Sequence, residues 1–323
     1  MSCTLNQTTH NDLPVIHMHH SSGATLMVYL FGAHIASWTT LTKQEILFVS
    51  NSAVYDGKAP IRGGIPLVFP QFGGGALPSH GFARRSVWSL HSSSNMKNGT
   101  LVLSLKDNDS TRRMWNEKFT LLYRITLGPN TLTTSFEVEN QSDAPFEFQA
   151  LLHTYFKLRD VAQAEILGLS GQTYVDQLQD GASVVQQEDP LKFTQETDRI
   201  FMNAPAEIIL KGLALQQKEQ EECAVTVNES MTEGSVTVNV SVKGSNSNSN
   251  INSNSHDFVI WNPWIAKAKR MNDFGDDEYH HMCCVEPGYV AQWKTLQNGE
   301  KWSITQVLTV HVATASDGGE TKL

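Results

Sequence analysis

The 323-residue sequence predicts an all-β protein, antiparallel sheets packed face to face as a sandwich, with few and short helices. Apolar residues alternate with polar ones at a period of two along much of the chain, and turn signals separate the alternating runs. No segment shows a long, capped 3.6-residue period. Strands that follow one another without regular helices between them favour antiparallel sheets over a parallel α/β arrangement.

In chain order, residues 25–31, 45–49 and 100–105 read as short strands. A hairpin follows. Phe119, Leu121, Tyr123, Ile125 and Leu127 fall on one face, Gly128-Pro129-Asn130 turns the chain, and Leu132, Phe136 and Val138 then alternate with Thr133, Ser135, Glu137 and Glu139. In residues 146–155, Phe146, Phe148, Ala150 and Leu152 are expected to pack inward, leaving Glu147, Gln149, Leu151, His153 and Tyr155 on the other face. The same alternation runs through Val236, Val238, Val240 and Val242, and again through Trp302, Ile304, Leu308, Val310 and Val312. Residues 1–323 read as a single domain with three flexible parts: the N-terminus 1–12, the Asn/Ser-rich stretch 244–256, which is too polar to bury, and the tail 313–323.

The formal charge of −9, from 24 basic and 33 acidic side chains, argues against nucleic acid as a partner. A small anion can still bind wherever arginines converge, because local potential decides the pairing. No apolar run approaches the roughly 20 residues that span a bilayer, so no membrane role is expected. The four cysteines, Cys3, Cys223, Cys283 and Cys284, do not read as a disulfide framework. The opening residues lack a secretory pattern, and a cytoplasmic monomer is the expectation. The C-terminal Thr321-Lys322-Leu323 differs by one small polar residue from the Ser-Lys-Leu import address, which raises a peroxisomal or glycosomal destination as an alternative.

Four segments carry residues suited to chemistry. Pro60-Ile61-Arg62-Gly63-Gly64-Ile65-Pro66 pairs glycines between prolines, so the backbone can turn tightly and Arg62 can project over an uncrowded surface; an ordinary loop would read the same way. Ser79-His80-Gly81-Phe82-Ala83-Arg84 sets a histidine and an arginine beside a glycine, although lone arginines are most often solvated. His153 emerges on the polar face of its strand, where it is either a proton carrier or a hydrogen-bonded structural residue. Glu286 closes an apolar run just before Pro287-Gly288, either fixed at a sheet rim or free at the surface. The run His280-His281-Met282-Cys283-Cys284 suggests zinc but is discounted, because neighbouring strand residues point to opposite faces and no second half-site follows.

Taken in order, PIRGGIPLVFPQFG, LPSHGFARRSVW, LLHTYFKL, QETDRIF, VIWNPWIAKAKRMNDF and CVEPGYV resemble the hexose-6-phosphate mutarotases, the glucose-6-phosphate 1-epimerases of the galactose mutarotase-like superfamily. The resemblance implies a β-supersandwich, His153 as catalytic acid and Glu286 as catalytic base. It also implies Arg62, Arg84 and Asp198 as substrate-binding residues, with the two arginines on the 6-phosphate, and His80 as a pocket residue. Ser79 stands where relatives commonly carry glutamine, so one substrate hydrogen bond there falls to a shorter side chain or to a water.

The implied reaction needs no cofactor and no metal. A base and an acid on opposite sides of the sugar, with His153 protonated, would open and reclose the hemiacetal. Three rivals remain: an aldose 1-epimerase for unphosphorylated sugars, a non-catalytic sugar-phosphate-binding protein, and a glycosidase using Asp198 and Glu286 as paired carboxylates.

Overall fold

The computed structural model describes residues 3–215, 234–244 and 255–312, and its sheets are antiparallel throughout their named ladders. A nine-stranded sheet runs in the order Leu191–Lys192, Glu165–Leu167, Glu207–Leu213, Gly234–Gly244, Lys301–Val312, Thr131–Asn140, Phe119–Leu127, Thr100–Lys106 and Ser89–Leu90. An eight-stranded sheet orders Ala182–Val185, Thr173–Asp176, Thr197–Phe201, Asp257–Asn262, Met282–Leu296, Phe146–Leu152 and Leu67–Val68, with Tyr155–Lys157 also pairing to Met282–Leu296. A four-stranded meander, from Cys3–His10 to His34–Thr39, completes the architecture.

One core joins all three sheets. Trp38 and Leu26 from the meander, Tyr123, Phe136 and Trp302 from the nine-stranded sheet, and Phe148, Cys283 and Val285 from the eight-stranded sheet belong to one apolar cluster. The alternation read from sequence explains why: Phe146, Phe148, Ala150 and Leu152 all enter this cluster, and Leu151 and Tyr155 face the other way, into a second one. The hairpin pairs Leu127 with Leu132 as its turn residues require. Among the described residues the α-helices are short, Asp109–Met114 and Trp264–Ala268.

Two expectations change. Of the N-terminal stretch 1–12, residues 3–12 are not a loose end, since Cys3–His10 pairs along its whole length with Leu13–His20. The cause is the two-residue turn Asn11-Asp12, whose φ values of 49° and 60° suit the twist of a tight hairpin. Most side chains of that strand are exposed, so alternation gave no signal there. Residues 45–49 make isolated bridges, Thr39 with Glu45, Leu47 with Phe156 and Val49 with Gly63, rather than a continuous ladder. In the Asn/Ser-rich stretch, Gly244 ends a strand and His256 is buried, while residues 245–254 and the tail 313–323 lie outside the described residues.

Candidate active site

The site is built on the face of the eight-stranded sheet that turns away from the main core. The pairings Leu151 with Gly288 and Tyr155 with Cys284 bracket His153 and Glu286, so the same register sets these two opposite one another. Thr197–Phe201 pairs Asp198 with Trp261, and Asp257–Asn262 pairs Trp261 with Cys284 and Val259 with Glu286. Two rows therefore cross four strands side by side. One is Asp198, Trp261, Cys284 and Tyr155; the next is Ile200, Val259, Glu286 and His153. Strand alternation puts both rows on one face.

Over these rows lies a cleft of about 240 Å³, lined by Arg62, Phe72, His80, His153, Asp198, Val259, Trp261, Lys267, Met271 and Glu286. His153 Nδ1 stands 3.2 Å from Glu286 Oε1, with 7% of His153 and 1% of Glu286 exposed. Neither carboxylate oxygen, nor His153 Nδ1, meets a hydrogen-bond partner of normal geometry. Buried polar groups are nearly always satisfied, so atoms of this kind lying at the floor of a cleft are candidates for contact with a ligand or with water. The imidazole is gripped between rings, stacked at 4.8 Å on Tyr155 and edge-on to Trp261 at 6.1 Å.

Electrostatics push the two groups toward neutrality. Burial, reinforced by the negative charge of Asp198, raises the Glu286 carboxyl well above the usual range. Burial also lowers His153 well below the usual imidazole value, and His80, Arg84 and Arg62 add to it. His80 is held neutral, pushed down to about 3 by burial and the two arginines, and its Nδ1 accepts from the Gly73 N–H at 3.3 Å. The cations of the cleft are committed to carboxylates. Arg62 reaches Asp273 at 3.1 Å and donates to the Tyr155 hydroxyl at 3.1 Å. Lys267 lies 3.3 Å from Glu196 and 3.5 Å from Asp198, 5.7 Å above the Trp261 ring.

The backbone that presents Arg62 depends on its two glycines. Gly63 and Gly64 have φ of 111° and 62°, and a Cβ on either would collide with the carbonyl of Phe48 or Ile35. Gly64 donates to the Phe48 carbonyl at 2.7 Å and accepts from the Tyr155 N–H at 2.9 Å.

The sequence profile of aldose 1-epimerases matches residues 14–309. The chain belongs to the aldose 1-epimerase family. Among its relatives, a protein of Cenchrus ciliaris named "Putative glucose-6-phosphate 1-epimerase" is 32% identical over 285 residues, covering 85% of this chain and 78% of that one. A protein of Escherichia coli strain K12 with the same name is 29% identical, covering 87% and 85%. The crystal structure of a protein from Salmonella typhimurium described as a "putative mutarotase" superposes with a TM-score of 0.78 at 27% identity, over 96% of this chain and 94% of the other. A galactose 1-epimerase from Lactobacillus acidophilus shares the fold alone, with a TM-score of 0.63 at 16% identity and coverage of 97% and 100%. The chain is thus a carbohydrate-active mutarotase-like protein with the galactose mutarotase-like fold.

Within this epimerase-family cleft the fold gathers five of the seven residues singled out from sequence: Arg62, His80, His153, Asp198 and Glu286. Arg84 and Ser79 are not among the lining residues. Ser79 is exposed and uses its carbonyl, which accepts from Arg84 Nη2 at 2.8 Å. Burial lowers Arg84 to about 10, so it stays charged at neutral pH, and its Nε is buried without a partner. Its field reaches His80 and His153 even though it does not line the cleft.

Sequence reading did not single out Lys267 or Trp261; it placed Tyr155 only as a face-mate of His153 and set Cys284 aside with the discounted run 280–284. The usable signal was parity, because Trp261 and Val259, like Cys284 and Glu286, are two apart on one strand and must share a face.

Proposed function

We propose that this protein interconverts the α and β anomers of a hexose 6-phosphate, D-glucose 6-phosphate first, with Glu286 as general base and His153 as general acid. One observation carries the reading: an unpartnered carboxylate and imidazole touch at the floor of a cleft that also presents Arg62 and Lys267. Mutarotation requires a proton to leave the anomeric hydroxyl while another reaches the ring oxygen. C1 carries both oxygens, so an acid and a base side by side serve them. The opposed arrangement expected from sequence gives way to this adjacent one. Rotation about C1–C2 in the open aldehyde then exposes the other carbonyl face, and reclosure reverses the two roles.

The arginines acting on the cleft suit a dianionic substrate. Arg62 and Arg84 help to hold His153 neutral, so a phosphate placed in the cleft beside Arg62 offsets part of that field and raises the proton affinity of the imidazole. The Glu286 carboxyl, whose proton affinity burial raises, lies 3.2 Å from His153 Nδ1 and supplies the proton when it carries one. That transfer creates the imidazolium and carboxylate that the reaction needs. Asp198 accepts from sugar hydroxyls, and Arg62 anchors the phosphate by charge-assisted hydrogen bonds.

Exchange NMR on glucose 6-phosphate and on glucose, run side by side, tests the substrate. A phosphate anchored by a charged group should give about 10- to 100-fold higher kcat/KM than the unphosphorylated sugar. Arg62→Ala should erase most of that difference. Equal rates on both sugars would assign the protein to unphosphorylated aldoses instead.

A further inference from the structure

The discounted histidine and cysteine run leaves one residue with an unexpected position. Cys284 shares its strand face with Glu286, and the register brings His153 beside both. The thiol, one Glu286 oxygen and one His153 ring nitrogen all lie within 4.8 Å of one another. Cys284 is fully buried with its thiol in hydrogen-bonding reach of the Glu286 carboxylate, and beyond that contact both Glu286 oxygens and His153 Nδ1 lack normal hydrogen-bond partners. His281, from the same run, plays no part, since its Nδ1 is bonded to the Arg159 carbonyl at 2.9 Å.

We propose that Cys284, His153 and Glu286 form a zinc-binding site, and that Zn²⁺ bound there blocks the cleft to sugar. Imidazole nitrogen, thiolate and carboxylate are the ordinary zinc donors, and three of them with a fourth position open is a common arrangement. With bonds of about 2.0 to 2.3 Å, tetrahedral donors stand a little over 3 Å apart, which the 3.2 Å separation of His153 Nδ1 and Glu286 Oε1 already meets. The thiol lies within 4.8 Å of the other two donors, so zinc has to draw it in by up to about 1 Å. The charge also balances: zinc displaces the thiol proton, and any proton on the carboxyl, to solvent, and the thiolate and carboxylate then cancel the dication. A neutral complex suits a buried site far better than an unpaired charge would. The fourth position faces the cleft, where water or an anion can take it. Cys284 thereby acquires a role separate from the proposed acid and base, and the metal competes with substrate by occupying both.

The test uses the full-length, metal-free protein and no sugar, so it stands or falls apart from the assignment of the substrate. Titration with Co²⁺ should produce a thiolate-to-cobalt charge-transfer band with the visible bands of a tetrahedral site. The bands should persist in Cys283→Ala and vanish in Cys284→Ala. Calorimetry with ZnCl₂ should show affinity falling at least about 10-fold in Cys284→Ala. Should that variant fail to fold, X-ray absorption on the wild-type zinc complex should count one sulfur donor with nitrogen and oxygen. Bands that survive in Cys284→Ala, or a zinc shell of nitrogen and oxygen alone, would overturn the proposal and place the metal on surface imidazoles such as His17 and His19.

Discussion

Glu286 and His153 are held where burial disfavours charge on both, and named neighbours set how strongly. Asp198 adds to the upward push on Glu286, and Arg84 adds to the downward push on His153. Removing a negative neighbour favours the carboxylate, so Asp198→Asn should lower the pH at which the Glu286 carboxylic acid band disappears in difference infrared spectra. Removing a positive neighbour favours the imidazolium, so Arg84→Gln should raise the pH at which the His153 ring titrates by NMR. Shifts in the opposite directions would contradict this account of the site. The sequence displayed both residues of the proposed acid–base pair, because alternation set the face of His153 and an apolar run ending in Pro287-Gly288 set the end on which Glu286 sits. It could not display their contact, which depends on pairing between segments more than a hundred residues apart. Nor could it show that Arg84 stays off the cleft lining and that Ser79 offers a carbonyl rather than a hydroxyl.

The elements that aim these residues are strands whose parity was legible and loops whose conformation was not. The Phe119–Leu127 hairpin and the inward set of Phe146–Leu152 could be read directly, since one face of each is buried in the common core. The strand Cys3–His10 escaped notice because its side chains are largely exposed and only its turn residues mark it. The Gly63-Gly64 pair stood out as a permissive turn, and the structure supplies its purpose. Left-handed backbone and close carbonyls at Gly64 let the loop bond to Phe48 and Tyr155 while presenting Arg62. Gly64→Ala should therefore destabilise the protein by more than ~1 kcal/mol, read as a lower urea midpoint, and should raise KM by displacing Arg62. An unchanged midpoint would mean that the loop tolerates a side chain that the geometry excludes.

At the scale of the whole molecule, three sheets close on one apolar cluster, and the site stands on the outer face of one of them. A shared core predicts that the sheets unfold together, so circular dichroism and tryptophan fluorescence should give coincident denaturation curves. Separate transitions would divide the chain into independent units. No helix among the described residues is long and apolar enough to cross a membrane. The formal charge of −9 is no obstacle to the proposed phosphorylated sugar, because Arg62 and Arg84 set the local field at His153 and Lys267 adds a cation to the cleft lining. The most direct measurement is exchange NMR of glucose 6-phosphate anomers with wild-type protein and with Glu286→Gln. Wild type should accelerate exchange, and Glu286→Gln should lose on the order of 10²- to 10⁴-fold in kcat while keeping its circular dichroism spectrum. Exchange by Glu286→Gln at the wild-type rate would contradict the account.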